Sequence, residues 1–169
     1  MDAKRVIELL GLEPHPEEGG WFRETYRSGD RFEPGGAWTG VRSVGTAIYY
    51  LLTPGTVSAL HRLPGDEIFH FYLGDPVRML MLYPDGRSEL VLLGPELEGM
   101  RLQHVVPGNV WQGSMLVPGG KWALLGTTMA PGFDYRDYEH GTRALLNAFP
   151  ARHDLIRGLL PERGASPRP

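Results

Sequence analysis

Apolar residues in this chain come in short bursts, not in long periodic stretches. Segments rich in Val, Leu, Ile, Tyr, Phe and Trp are repeatedly cut by the same kind of punctuation: Pro54-Gly55, Pro64-Gly65-Asp66, Pro84-Asp85-Gly86, Pro107-Gly108-Asn109 and Pro118-Gly119-Gly120. Each pairs the preset φ of proline with residues that tolerate a turn backbone. Many short strands joined by tight turns predict an all-β sandwich or barrel. The expected strands span 21–26, 46–52, 57–63, 67–73, 77–83, 88–93, 101–106, 112–117 and 122–129. Helical spacing is confined to the two ends. Asp2 is placed to cap a short helix carrying Val6, Ile7, Leu9 and Leu10, which stops at Gly11. Near the other end, 142–148 and 151–160 have helical spacing and are separated by Pro150. The pattern predicts one domain over 1–160, and a polar, proline-rich tail over 161–169 reads as disordered.

Composition narrows the function classes. With 169 residues the chain can bury one sizeable core. A formal net charge of −3, with Lys and Arg scattered, provides no basic stripe for nucleic acid. Cysteine is absent, which removes disulfides, thiolate metal sites and cysteine nucleophiles. No apolar run approaches the length of a membrane span, and the first residues lack the core of a signal peptide. The expectation is a cytoplasmic protein with neither a nucleic-acid nor a membrane partner.

Two segments carry candidate chemistry. In Gly55-Thr56-Val57-Ser58-Ala59-Leu60-His61-Arg62-Leu63, strand alternation places Val57, Ala59, His61 and Leu63 on one face. After the Pro64-Gly65-Asp66 turn, Glu67, Phe69 and Phe71 share a face of the next strand. A hairpin at that turn would bring His61 and Glu67 together inside an otherwise apolar wall. In Val106-Pro107-Gly108-Asn109-Val110-Trp111-Gln112, a turn leads into a strand whose Gln112 is placed to point inward. A carboxylate facing a barrel interior costs several kcal/mol unless paired, so Glu67 asks for a partner. The reading assigns His61 and Glu67 to acid–base chemistry, and Gln112, Phe69, Phe71, Leu63 and Ala59 to ligand binding. By alternation His70 faces the opposite side from Glu67, toward the exterior or a subunit contact. His15, His104, His140 and His153 read as surface or loop histidines, and Arg23 and Glu24 as formers of interface salt bridges. Arg42 and Arg62 are placed at the rim or facing away.

The spacing of Gly55, His61, Glu67 and Gly74 resembles the first cupin motif, G-x5-H-x-H-x3-E-x6-G, with Leu63 in place of the second histidine. Residues 107–112 echo the second motif, P-x-G-x-x-H, with Asn109 at its glycine and Gln112 at its histidine. Further segments are similar to the Cupin_5 (DUF985) family: His15-Pro16-Glu17-Glu18-Gly19-Gly20-Trp21-Phe22-Arg23-Glu24-Thr25-Tyr26, Thr46-Ala47-Ile48-Tyr49-Tyr50-Leu51-Leu52, Asp66-Glu67-Ile68-Phe69-His70-Phe71-Tyr72-Leu73-Gly74-Asp75 and Ala130-Pro131-Gly132-Phe133. An additional Glu in the first of these is a departure that falls in a loop.

The resemblance implies a cupin double-stranded β-helix, a jelly-roll barrel with short terminal helices, and a homodimer that uses the 21–26 strand. Ordinary cupin metal sites use two or three histidines and a carboxylate. Loss of two histidine donors to Leu63 and Gln112 argues for no cofactor, with a weak divalent metal at His61, Glu67 and Gln112 as the alternative. The two readings of function are a metal-independent isomerase or epimerase acting on a sugar or polar metabolite, and a non-catalytic small-molecule-binding module.

Overall fold

A computed structural model describes residues 1–160, so the expectation for 161–169 lies outside the described residues. The chain forms α1 (Ala3–Leu10), β1 (Glu13–Pro14), β2 (Trp21–Arg27), β3 (Arg31–Phe32), β4 (Arg42–Ser43), β5 (Thr46–Leu52), β6 (Ser58–Arg62) and β7 (Glu67–Gly74). It continues with β8 (Val77–Leu82), β9 (Ser88–Leu93), β10 (Gln103–Val106), β11 (Trp111–Leu116), β12 (Ala123–Met129), β13 (Glu139–His140), α2 (Ala144–Ala148) and α3 (His153–Leu159). The nine expected strands are present. Four two-residue strands, β1, β3, β4 and β13, were not legible, because two residues are too short to show an alternating pattern and only their pairing defines them.

Two sheets face each other. One has the order β1-β2-β5-β12-β7-β10 and the other β13-β6-β11-β8-β9, while β3 and β4 form a separate ribbon. All strand pairings between the named strands are antiparallel. Consecutive strands β6 and β7 belong to different sheets, so the Pro64-Gly65-Asp66 turn is not the head of a hairpin. It carries the chain from one sheet to the other, and His61 and Glu67 meet across the interior instead of side by side.

The core follows from strand alternation. Tyr50, Leu52, Phe69, Phe71, Met79, Met81, Leu93 and Leu125 fill the space between the sheets. Along β7 the burial alternates, with Glu67, Phe69 and Phe71 inside and Ile68 and His70 half-buried on the outer side. The outer faces are partly covered by helices. Val6 of α1 packs with Leu12, Leu51 and Leu124 on the first sheet. Leu145 of α2 and Ile156 and Leu159 of α3 pack on Leu60, Leu80 and Leu82 of the second. Asp2 caps α1 through its side chain to the Arg5 amide, and Gly11 ends it with φ of 59°, a left-handed conformation glycine adopts without a Cβ clash. Tyr49 and Tyr72 lie on the outer side of the first sheet with ring centroids 6.0 Å apart. The expected bare edge at 21–26 is half covered: β1 pairs with Trp21 and Phe22 only, leaving residues 23–27 without a neighbour on that side.

The turn before β11 locks onto the turn before β7. The Asn109 amide donates to the Leu63 carbonyl at 2.7 Å and the Gly108 amide donates to Asp66 Oδ1 at 2.9 Å. A Cβ on Gly108 would fall against the Pro64 backbone carbonyl, which has no freedom to retreat. Gly108→Ala is therefore expected to lower stability by about 1–3 kcal/mol, the usual range for overpacking. Urea unfolding of the two proteins checks this; an unchanged midpoint would show that the two turns are not tightly coupled.

Candidate functional site

The interior is apolar along most of its length and polar at one end. Antiparallel register stacks inward-facing residues into rows. Arg27, Thr46, Met129 and Glu67 are neighbours across β2, β5, β12 and β7 and make the terminal row. Glu24, Ile48, Thr127 and Phe69 make the next, and Phe22, Tyr50, Leu125 and Phe71 the one after. A cavity of about 290 Å³ opens over the terminal rows. Its floor is formed by His15, Glu18, Glu67, Thr127 and Met129, and its rim by Glu13, Glu24, Arg27, Phe133 and Tyr135.

Glu18 arrives from outside the strands. In the loop between β1 and β2, His15 Nδ1 accepts the amides of Glu17 and Glu18 at 3.2 and 2.9 Å. Gly19 and Gly20 follow with φ of 88° and 70°, and Tyr50 donates its hydroxyl to the Gly19 carbonyl at 2.7 Å. A Cβ at either glycine would strike backbone carbonyls of Val57 or Leu51, so the paired glycines are required by close approach as well as by φ. Strand β6 then clamps the loop: the Ala59 amide donates to the Glu18 carbonyl at 2.9 Å, and Ser58 Oγ donates to Glu18 Oε2 at 3.0 Å.

These contacts surround His61, which is 1% exposed. Its Nδ1 donates to the Ala59 carbonyl at 2.8 Å, which leaves Nε2 toward the interior. Nε2 faces Glu18 Oε1 at 3.7 Å and Glu67 Oε2 at 3.9 Å and has no hydrogen-bond partner. Gln112, opposite His61 in the β6–β11 register, donates its amide to Glu67 Oε2 at 2.6 Å. The Tyr138 ring stacks on the imidazole with centroids 4.8 Å apart and planes inclined by 17°. Burial disfavours charge on the ring, but the Glu18 and then the Glu67 carboxylate outweigh it and raise the His61 pKa to about 9. His61 is thus an imidazolium near neutral pH. His15 goes the other way: burial lowers its pKa despite Glu18, so it is neutral, and because Nδ1 accepts two amides its proton sits on Nε2. Burial also pushes the Tyr138 phenol well up, keeping its hydroxyl protonated.

The expected residues are thereby placed. His61, Glu67 and Gln112 come together. Glu67 lines the cavity, while His61 lies one layer behind the carboxylates and Gln112 behind Glu67. Phe69 and Phe71 belong to the apolar core and not to the cavity wall. Ala59 contributes its backbone, and Leu63 faces a second, shallow depression with Arg62, Pro64 and Asn109. His15 is not a surface histidine; it is 5% exposed and shapes the cavity floor. Glu24 holds Arg27 at 2.7 Å on the cavity rim. His140 is exposed and pairs with Glu17 at 2.9 Å, and His70 bonds Thr128 Oγ1 at 3.0 Å on the outer face. Arg42 is buried against Asp137 at 2.6 Å and Arg62 bonds Glu139 at 2.7 Å, both away from the cavity. Glu18 and the Tyr138 stack were missed, although the His15-to-Gly20 motif was the available signal for the former.

Such a barrel, with its polar cluster between the sheets at one end, defines a cupin-type double-stranded β-helix. The chain belongs to the Cupin_5 family of the cupin superfamily (DUF985), whose pattern residues 4–141 match. It is 32% identical over 133 residues to an uncharacterized protein of Saccharomyces cerevisiae, covering 72% of this chain and 66% of that one, so it spans just under two thirds of the yeast protein. Among solved structures it resembles protein SO0799 of Shewanella oneidensis, with 34% identity, a TM-score of 0.85 and coverage of 95% and 98%. A hypothetical protein from Leishmania major gives 34% identity, a TM-score of 0.84 and coverage of 96% and 100%. Bacillus subtilis oxalate decarboxylase, at 15% identity and a TM-score of 0.54 over 94% of this chain, shares the fold alone.

Cupin metal centres raise the question of donors. Leu63 offers none, and Gln112 spends its amide on Glu67. His15 has its Nδ1 lone pair engaged and its Nε2 protonated, and His61 Nε2, the one nitrogen left in the cluster, carries a proton in the imidazolium that it would have to lose before it could ligate. Among the described residues no group of three or more His, Asp or Glu is arranged to hold a metal ion. The donor set does not fit a cupin transition-metal centre.

A raised pKa has a fixed sign for stability. The ion cluster contributes fully below the unfolded value of about 6.5 and is lost as pH rises through about 9. Between those limits the unfolding free energy should fall, by an amount on the order of 1–3 kcal/mol. Urea titrations at pH steps from 6 to about 10 would show this, and His61→Gln should flatten the slope. A wild-type stability that is level or rising across the window contradicts the imidazolium.

Proposed function

We propose that this protein binds a small polar metabolite in the cavity and moves a proton on it without a metal, as an isomerase or epimerase does. The observation that supports this is the placement of His61 Nε2 between two carboxylates that themselves form the cavity floor. Isomerisation removes a proton from one carbon and returns one to a neighbour. Glu67 and Glu18 are the groups that reach a ligand. Glu67 takes the proton, and His61, facing both, exchanges it with Glu18 for return. The raised pKa keeps the ring protonated near neutral pH, so Nε2 carries the proton that passes to Glu18 as the one on Glu67 replaces it. Glu67 has one oxygen fixed by Gln112 and the other free, the orientation expected of a working carboxylate. The non-catalytic reading has its own supporting observation: His61 stands behind the carboxylates and does not line the cavity.

The test is solvent exchange. Aldoses, ketoses and amino sugars incubated with the protein in D2O should include at least one compound that gains a carbon-bound deuterium by mass spectrometry, with or without a chelator. Glu67→Gln should reduce the rate by about 100-fold or more. Compounds that bind the cavity but never exchange would favour the binding module.

The same reading includes a homodimer, supported by the unpaired flank of β2 at residues 23–27, a strand edge that soluble proteins ordinarily cover. Light scattering at micromolar concentration is expected to give twice the chain mass; a monomer would overturn the assembly.

A further inference from the structure

The cavity is charged in a particular way. Glu13, Glu18, Glu24 and Glu67 contribute carboxylates to its wall, and Arg27 is the single guanidinium there. Arg27 is already engaged: its Nε and Nη2 donate to the two oxygens of Glu24 at 2.9 and 2.7 Å, and both terminal nitrogens donate to the Phe133 carbonyl at 3.1 Å. It has little left with which to hold a phosphate or a carboxylate ligand. His15 is neutral, with burial the main cause. The His61 imidazolium balances one of Glu18 and Glu67, so the wall keeps an excess of negative charge after both cations are counted. The free Nε2 of His61, 1% exposed, is aimed between these two carboxylates and satisfies neither at hydrogen-bond distance. Gln112 already donates to Glu67 Oε2 and Ser58 to Glu18 Oε2, but Oε1 of each carboxylate has no donor within hydrogen-bond distance among the described residues. The rings of His15 and His61 stand 3.9 and 3.7 Å from Glu18 Oε1, so these two oxygens are the acceptors left for an N–H donor.

The rest of the wall suits a carbon skeleton. Phe22, Ile48 and Met129 are apolar, and Phe133 and Tyr135 meet edge-to-face at the rim with centroids 4.9 Å apart. Aromatic faces beside carboxylates attract cations and repel anions. A quaternary ammonium has no N–H to give, so the oxygens of Glu18 and Glu67 select for hydrogen on nitrogen.

We propose that the cavity takes a protonated primary amine, its ammonium seated against Glu18 and Glu67 and its carbon skeleton against Phe22, Phe133 and Tyr135. This rests on the reading of the cavity as a ligand site and names the ligand class; it excludes phosphorylated and carboxylic substrates.

Three isosteric probes separate the charge from the shape: benzylamine, benzyl alcohol and benzoate, with affinities measured by ligand-observed NMR and calorimetry at pH 7.5. Benzylamine should bind at least about tenfold tighter than benzyl alcohol, the factor a hydrogen bond to a charged group supplies, and benzoate should bind weakest. Glu18→Gln and Glu67→Gln, each checked for a native melt, should weaken benzylamine by about tenfold and benzyl alcohol by no more than about threefold. Equal or absent binding of all three probes by the wild type, preference for benzoate, or benzylamine binding that survives both substitutions would overturn the proposal. The two readings fail separately. Amine binding without any deuterium exchange removes the catalysis and keeps the ligand class. Exchange confined to uncharged sugars removes the ligand class and keeps the catalysis.

Discussion

A charged imidazole between two largely buried carboxylates is the constraint on which this structure turns. Each of the three groups alone would cost several kcal/mol to bury; the imidazolium matches one carboxylate, and the second is tolerated because both carboxylates line the cavity. They are tolerated because they arrive together: His61 on β6, Glu67 on β7, and Glu18 on the loop ahead of β2. Three contacts hold them in register, two from β6, Ala59 on Nδ1 of His61 and Ser58 on Glu18, and one from β11, Gln112 on Glu67. The cluster is thus a product of the two-sheet topology and could not be assembled by one sheet.

The same constraint explains the placement of the glycines and of the cavity. Gly19 and Gly20 let the N-terminal loop press against β5 and the segment ahead of β6, which brings Glu18 inward. Gly108 lets the turn ahead of β11 sit on the crossover that carries Glu67. Beyond the terminal rows of the first sheet the interior closes into Phe71, Tyr50 and Leu125, so the polar end is confined and the carboxylates stand between the cavity and the imidazole. That order of layers makes Glu67 and Glu18 the groups in reach, with His61 as the charge that keeps them together.

Much of this was legible in the sequence. Proline-glycine punctuation located the nine longer strands, with both ends correct for Thr46–Leu52 and Ser88–Leu93, because turn chemistry is local. Alternation put His61, Glu67 and Phe69 on inner faces, since one face of each strand must be apolar or paired. The route between His61 and Glu67 was misread as a hairpin because a Pro-Gly-Asp turn looks the same whether the chain stays in its sheet or crosses to the other. His15 and Glu18 were passed over for a different reason. They lie on no strand, Ser58 and His61 as the partners of Glu18 are some forty residues away, and no spacing rule links either residue to His61. Phe69 and Phe71 were correctly turned inward yet assigned to the ligand, because alternation reports the face and not how far along the barrel the packing leaves space.

The central claim is the charge on His61, and the most direct measurement is the nitrogen NMR spectrum of its ring, followed with pH in the wild type and in Glu18→Gln and Glu67→Gln. The account predicts an imidazolium, with both ring nitrogens protonated at pH 7.5 and a midpoint near 9. Each glutamine should bring the midpoint down by about one unit or more. A neutral ring at pH 7.5, protonated on Nδ1 alone and unmoved by either substitution, would contradict it.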